Sequence, residues 1–81
     1  MRPYHVGIAG ATGLVGQRLI GRLAEHPWFR IQALGASERS AGRPYREAVR
    51  WTLGRPIPES ISAWPVARCE PEAFAGCDFV L

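Results

Sequence analysis

Four glycines in the segment GIAGATGLVG, Gly7, Gly10, Gly13 and Gly16, recur at three-residue spacing between a branched apolar run and a helical pattern. A glycine at a strand end permits a tight turn, one at the tip lets an anion reach the backbone, and one in the first helical turn lets helix and strand pack closely. Gly10, Gly13 and Gly16 stand in those three places. The first N–H groups of a helix have no acceptor of their own, so the amides from Gly13 through Leu14 to Val15 are expected to point out of the turn, with the helix dipole behind them. Thr12 adds a hydroxyl. This is chemistry for holding phosphate. The spacing GxxGxxG differs from the commoner GxGxxG, which leaves a ligand-free tight turn as the alternative. No GK[ST] follows, so an NTP-hydrolysing loop is disfavoured.

A second set, Ser37-Glu38-Arg39-Ser40, follows the next apolar run. In a dinucleotide-binding unit an acid roughly twenty residues after the glycines bonds the ribose hydroxyls. Glu38 is the only acid available there, and it is flanked by a cation and two hydroxyls. Ser37, Arg39 and Ser40 could instead grip a 2′-phosphate, because guanidinium offers a planar fork of donors and the hydroxyls add more. Local chemistry therefore favours NADP over NAD, with Glu38 turned to water; the alternative is a solvated loop with no ligand.

Nothing else in the chain suggests catalysis. Cys69 and Cys77 form no CxxC pair, and no histidine completes a zinc set with them, so neither a catalytic nor a metal site is expected. Both cysteines read as structural thiols. His5 leads into the first strand and His26 closes the first helix, where its charge would suit the helix end. Trp28, Trp51 and Trp64 read as packing residues rather than a stacking platform.

These groups need a scaffold. Tyr4–Ala9 reads as a strand with Val6 and Ile8 as branched residues, and Gly10–Gly13 as a turn. Leu14, Val15, Leu19, Ile20, Leu23 and Ala24 repeat at helical spacing, with Gln17, Arg18, Arg22 and Glu25 on the opposite side. Pro27 stops that helix at His26. Trp28–Leu34 reads as a second strand closed by Gly35, and residues 36–44 as a loop. A short helix over Tyr45–Trp51 turns Tyr45, Ala48, Val49 and Trp51 inward. A proline-bearing connection follows, with a helical turn at Glu59–Ile61 and a brief strand over Pro65–Arg68. Pro71–Ala75 suits one turn of helix, since proline fits a helix start and Glu70 and Glu72 suit its positive end. The apolar run Cys77–Leu81 suits a central parallel strand, covered on both faces by helices that this chain does not supply. The fold class is thus α/β, a partial Rossmann-type parallel sheet built on a β-α-β unit and cut before completion.

At 81 residues the chain is one domain at most, and such a domain hides only roughly 60% of the surface its unfolded chain exposes. The hydrophobic share of 47% is that of a globular protein. All ten basic residues are arginine, but they are scattered, so the net charge of +3 is weak evidence for nucleic acid. The opening residues carry no apolar leader, so a cytoplasmic location without membrane association is expected.

The segments GATGLVGQR, HPWF, ALGASERSAG, YREAVRW, IPE and CDFV together resemble the opening of aspartate-semialdehyde dehydrogenases, particularly the archaeal and fungal type. The resemblance covers nearly the whole chain, and its most specific part is SERSAG joined to GATGLVGQ. It implies a parent enzyme that reduces aspartyl phosphate to aspartate semialdehyde with NADPH, on the way to lysine, threonine and methionine. It places Thr12, Gly13, Leu14 and Val15 on the cofactor's diphosphate, and Ser37, Arg39 and Ser40 on its 2′-phosphate. Arg43 stands where the family often has lysine. The family's Asn-Cys nucleophile and its proton-moving histidine have no match here, so residues 1–81 would be an inactive cofactor-binding portion of a homo-oligomeric enzyme. Malonyl-CoA reductases and N-acetyl-glutamyl-phosphate reductases remain rivals, as does a non-catalytic nucleotide-binding module.

Overall fold

In a computed structural model, which describes residues 3–81, the first branched run forms β1, Tyr4–Ala9. Alternation buries Val6 and Ile8 on one face and leaves Gly7 on the other. A turn at Gly10, whose φ is +68°, leads into α1, Leu14–Leu23. This helix ends three residues short of the expected His26. Pro27 has no N–H for the Leu23 carbonyl, and the His26 N–H takes that carbonyl instead in a tighter turn. His26 therefore lies beyond the helix, with its Nδ1 accepting the Trp28 N–H at 3.1 Å.

The second strand, β2, spans Phe29–Ala36 rather than Trp28–Leu34. Gly35 does not close it: Gly35 pairs with Ala9 on one side and Ala67 on the other, and Ala36 pairs with Arg68. A Cβ on Gly35 would stand 2.6 Å from Phe74 Cζ, so its bare backbone serves a packing contact inside the strand. The connection to the next strand holds a 3₁₀ turn at Glu38–Ser40 and two single-turn helices, α2 (Tyr45–Ala48) and α3 (Glu59–Ser62). The α2 helix stops before the expected Trp51, but Tyr45 is buried and Ala48, Val49 and Trp51 pack on the core as expected.

The third strand, β3, is reduced to Ala67–Arg68, because the Val66 N–H is bonded to the Arg43 carbonyl instead of to the sheet. Pro71–Phe74 forms a 3₁₀ turn, and β4 follows at Phe79–Val80. It starts later than the expected Cys77, whose N–H is held by the Phe74 carbonyl at 3.0 Å.

All pairings in the sheet are parallel, and the strand order is β3-β2-β1-β4. That is the opening half of the doubly wound order, with its switch point between β1 and β4. One face carries the core: Val6, Ile8, Ile31, Leu34 and Ala36 from the strands meet Ile20, Tyr45 and Ile61 from the three helices. The other face is covered near Gly7 and Gly35 by Phe74. Beyond β1, the side chains of β4 are open, with Phe79 49% and Val80 48% exposed, so the expected cover of this strand is lacking among the described residues. Trp28 and Trp64 are also exposed, which leaves Trp51 as the tryptophan that packs. No described helix is long and apolar enough to cross a membrane.

Candidate functional site

The glycine turn lies at the carboxyl edge of the sheet, beside the switch point, where open α/β sheets receive ligands. Each glycine there has a distinct physical reason. Gly10 adopts a left-handed backbone, with open space where a Cβ would stand. A Cβ on Gly13 would touch only the Gly10 carbonyl oxygen, at 3.4 Å. A Cβ on Gly16 would overlap that oxygen and come within 2.9 Å of Ala11 Cα, so this glycine lets the helix close onto the turn.

Hydrogen bonding sorts the turn's amides into two groups. The Ala11 N–H donates to the Gly35 carbonyl at 2.9 Å, and the Gly13 N–H donates to the Gly10 carbonyl at 3.0 Å. Gly13 is thus not one of the outward donors that the sequence suggested, because its amide closes the turn. The N–H groups of Thr12, Leu14 and Val15 have no acceptor among the described residues. In a planar trans peptide the N–H points away from the preceding carbonyl. The Ala11 carbonyl accepts the Tyr45 hydroxyl at 2.7 Å, and the Gly13 carbonyl accepts the Gln17 N–H at 2.9 Å. The Thr12 and Leu14 amides are accordingly directed away from the protein, at the positive end of α1.

Three side chains of α1 depart from their expected places. Leu14 and Val15 are 67% and 73% exposed, while Gln17, assigned to the polar side, is 2% exposed. The contact at Gly16 sets the helix rotation: Gly16, Gln17 and Ile20 form the buried side, and Leu14 and Val15 fall roughly 110° and 150° round from its centre. Gln17 is buried because every polar atom it carries is used. Its Nε2 donates to the Thr12 and Arg50 carbonyls at 3.1 Å each, and its Oε1 accepts the Thr52 N–H at 2.9 Å and the Thr52 hydroxyl at 3.2 Å. The one signal for this in the sequence is that Gln17 stands three residues before Ile20, on the same helix face.

The second set lies just past the end of β2. Ser37 and Arg39 are exposed, and the Arg39 guanidinium bonds to no other described residue. Ser40 is 8% exposed, and its N–H donates to the Ser37 carbonyl, so it braces the turn more than it faces outward. Glu38 does face water, but it also pairs with Arg68 at 3.5 Å, and Arg68 in turn holds Glu70 at 3.2 Å. Arg43 caps α2 by donating to the Glu47 carbonyl at 3.0 Å and is committed there. The register of Ala9 with Gly35, and the Ala11–Gly35 hydrogen bond, bring both sets to the same edge of the sheet.

The arrangement suits a ligand with two anionic groups. Outward amides and an open glycine surface face one of them, and a free guanidinium with a hydroxyl faces the other. Cys69 and Cys77 are free thiols; Cys69 lies beside the end of β2, its N–H donating to the Ala36 carbonyl at 3.1 Å. Burial, and secondarily the Asp78 carboxylate, push the Cys77 thiol up, which opposes nucleophilic use. No group of metal-ligating side chains occurs among the described residues.

A family profile described as "Semialdehyde dehydrogenase, NAD binding domain" matches residues 5–81. The chain is 52% identical over 75 residues to an aspartate-semialdehyde dehydrogenase of Schizosaccharomyces pombe, covering 93% of this chain and 21% of that one. A protein of the same name from Archaeoglobus fulgidus is 54% identical over 56 residues, covering 69% of this chain and 16% of the other. The crystal structure of aspartate-semialdehyde dehydrogenase with NADP from Candida albicans superposes with a TM-score of 0.94 at 46% identity, covering 98% of this chain and 22% of that one. The chain thus spans about a fifth of the length of these relatives.

Proposed function

Because the chain belongs to the semialdehyde dehydrogenase NAD-binding domain family, we propose that residues 1–81 are the amino-terminal, NADP-binding part of an aspartate-semialdehyde dehydrogenase. The parent enzyme reduces aspartyl phosphate to aspartate semialdehyde, with release of phosphate, and NADPH supplies the hydride. In this reading the Thr12, Leu14 and Val15 amides hold the cofactor's diphosphate over the open surface of Gly10 and Gly13. Ser37 and Arg39 hold the 2′-phosphate, with Ser40 bracing their turn. The nucleophile, the substrate site and the surfaces that make the parent a homo-oligomer belong to a part of the enzyme outside these residues. Two free thiols suit a reducing, cytoplasmic setting.

The observation that carries this reading is the row of acceptor-free amides at the start of α1, on the same sheet edge as a free guanidinium. The Candida albicans relative, named as a complex with NADP, supports the choice of cofactor. Titration calorimetry tests it: the full chain is expected to bind NADP more tightly than NAD. Loss of a charge-assisted, bidentate contact costs roughly 1.5–3 kcal/mol, so Arg39→Ala should weaken NADP by about ten- to a hundredfold and NAD by less than about twofold. Equal losses for the two nucleotides would remove Arg39 from the 2′-phosphate site.

A further inference from the structure

We propose that Tyr45 and Gln17 are positioning residues for the cofactor's diphosphate, acting through the carbonyls of Ala11 and Thr12. The inference rests on the assignment of the glycine turn to a dinucleotide. Neither side chain is placed to touch the ligand, since both are buried on the core side of the turn. Tyr45 holds the other end of the peptide unit whose Thr12 amide faces outward, and Gln17 holds the next unit, whose Gly13 amide closes the turn.

The turn from Gly10 to Leu14 contains four peptide units. The unit joining Gly10 and Ala11 is fixed at both ends by backbone, its carbonyl to the Gly13 N–H and its amide to the Gly35 carbonyl. The unit joining Ala11 and Thr12 has its carbonyl on the Tyr45 hydroxyl and its amide free. The unit joining Thr12 and Gly13 has its carbonyl on Gln17 Nε2 and its amide on the Gly10 carbonyl. The unit joining Gly13 and Leu14 is set by the helix, through the Gln17 N–H. At the tip the first of the two middle units is thus held by a side chain alone, and the second by a side chain together with the Gly13–Gly10 hydrogen bond. Without the Tyr45 hydroxyl, the first of these units keeps no hydrogen bond at either end, and the Thr12 amide loses its direction.

The surroundings suit that role. Burial pushes the Tyr45 phenol up, so it remains a proton donor throughout the physiological range. Its ring is held edge-on against Trp51, with centroids 6.2 Å apart. Gln17 ties the turn to Arg50 and Thr52, in the segment that follows α2. The connection that begins with Ser37 and Arg39 thus returns, through Tyr45 and residues 50–52, to brace the diphosphate turn from below.

The test compares three ligands on the full chain: NADP, NAD and adenosine 2′-monophosphate, which carries the 2′-phosphate but no diphosphate. Removal of one buried hydrogen bond by Tyr45→Phe should weaken NADP and NAD together, by roughly tenfold, and leave adenosine 2′-monophosphate within about twofold. The Thr12 amide proton should shift in the unliganded protein. Gln17→Met, close in volume, should give the same pattern; if it does not fold, Tyr45→Phe decides alone. A Tyr45→Phe chain that binds NADP like the original overturns the inference. So does one that loses all three ligands in parallel with its melting temperature, which marks a purely structural role. Failure of the unsubstituted chain to bind either dinucleotide defeats the dinucleotide assignment itself, and the inference with it.

Discussion

A methyl group at Gly16 would overlap the Gly10 carbonyl oxygen and crowd Ala11 Cα, backbone atoms that no rotamer change moves aside. Gly16→Ala is therefore expected to destabilise the chain by about 3 kcal/mol and to abolish NADP binding, read by thermal unfolding and calorimetry. Gly13→Ala meets only one atom, at an ordinary contact distance, and φ there is −79°. It should cost no more than about 1 kcal/mol, as a weaker cap, while its methyl group stands where the diphosphate would lie and weakens NADP well beyond that. Similar losses of stability in the two variants would contradict the separate roles given to these glycines. The acceptor-free amides of Leu14 and Val15 were legible in the sequence because the first amides of any helix lack an intrahelical partner. Gln17 was not, because its burial depends on acceptors and donors at residues 50 and 52, far along the chain. The direction of the Gly13 amide was hidden for a related reason: it closes a turn whose shape is set by the positive φ of Gly10.

Among elements, the sheet and the 3₁₀ turn at Pro71–Phe74 depend on two strand glycines. Phe74 lies where side chains of Gly7 and Gly35 would be, and Cys69 Cα also stands 3.3 Å from a Cβ at Gly35. Gly35→Ala should destabilise by about 1–3 kcal/mol through overpacking. Combining it with Phe74→Ala should cost less than the sum of the two single changes, since the ring is the main obstacle. Strict additivity in chemical denaturation would show that Phe74 does not pack there. The same contact explains why the end of β2 was misplaced by sequence reasoning. A glycine after an apolar run resembles a stop, and the reason for this one arrives almost forty residues later. By contrast β1 was read to the residue, because branched Val6 and Ile8 followed at once by a glycine turn are a local signal. The end of α1 lay between these cases: Pro27 was the right cause, but its effect reaches back to the Leu23 carbonyl.

At the scale of the molecule, the parallel sheet and the turn at its carboxyl edge were legible, because a β-α-β unit leaves little freedom of topology. The open apolar surface formed by Tyr4, Phe79, Val80 and Leu81 should make the 81-residue chain associate as its concentration rises. Sedimentation should show a rising average mass that Phe79→Lys suppresses; a constant monomer mass without the substitution would contradict this. The hydrogen bonds of β1 carry a further consequence. On one side it pairs with β2, and on the other the Ala9 N–H donates to the Leu81 carbonyl at 2.8 Å, while the Leu81 N–H donates to the Gly7 carbonyl at 2.9 Å. On a translating ribosome β1 emerges before β2 and well before β4. The strand that carries the glycine turn therefore stays unpaired on the β4 side until Leu81 has left the exit tunnel.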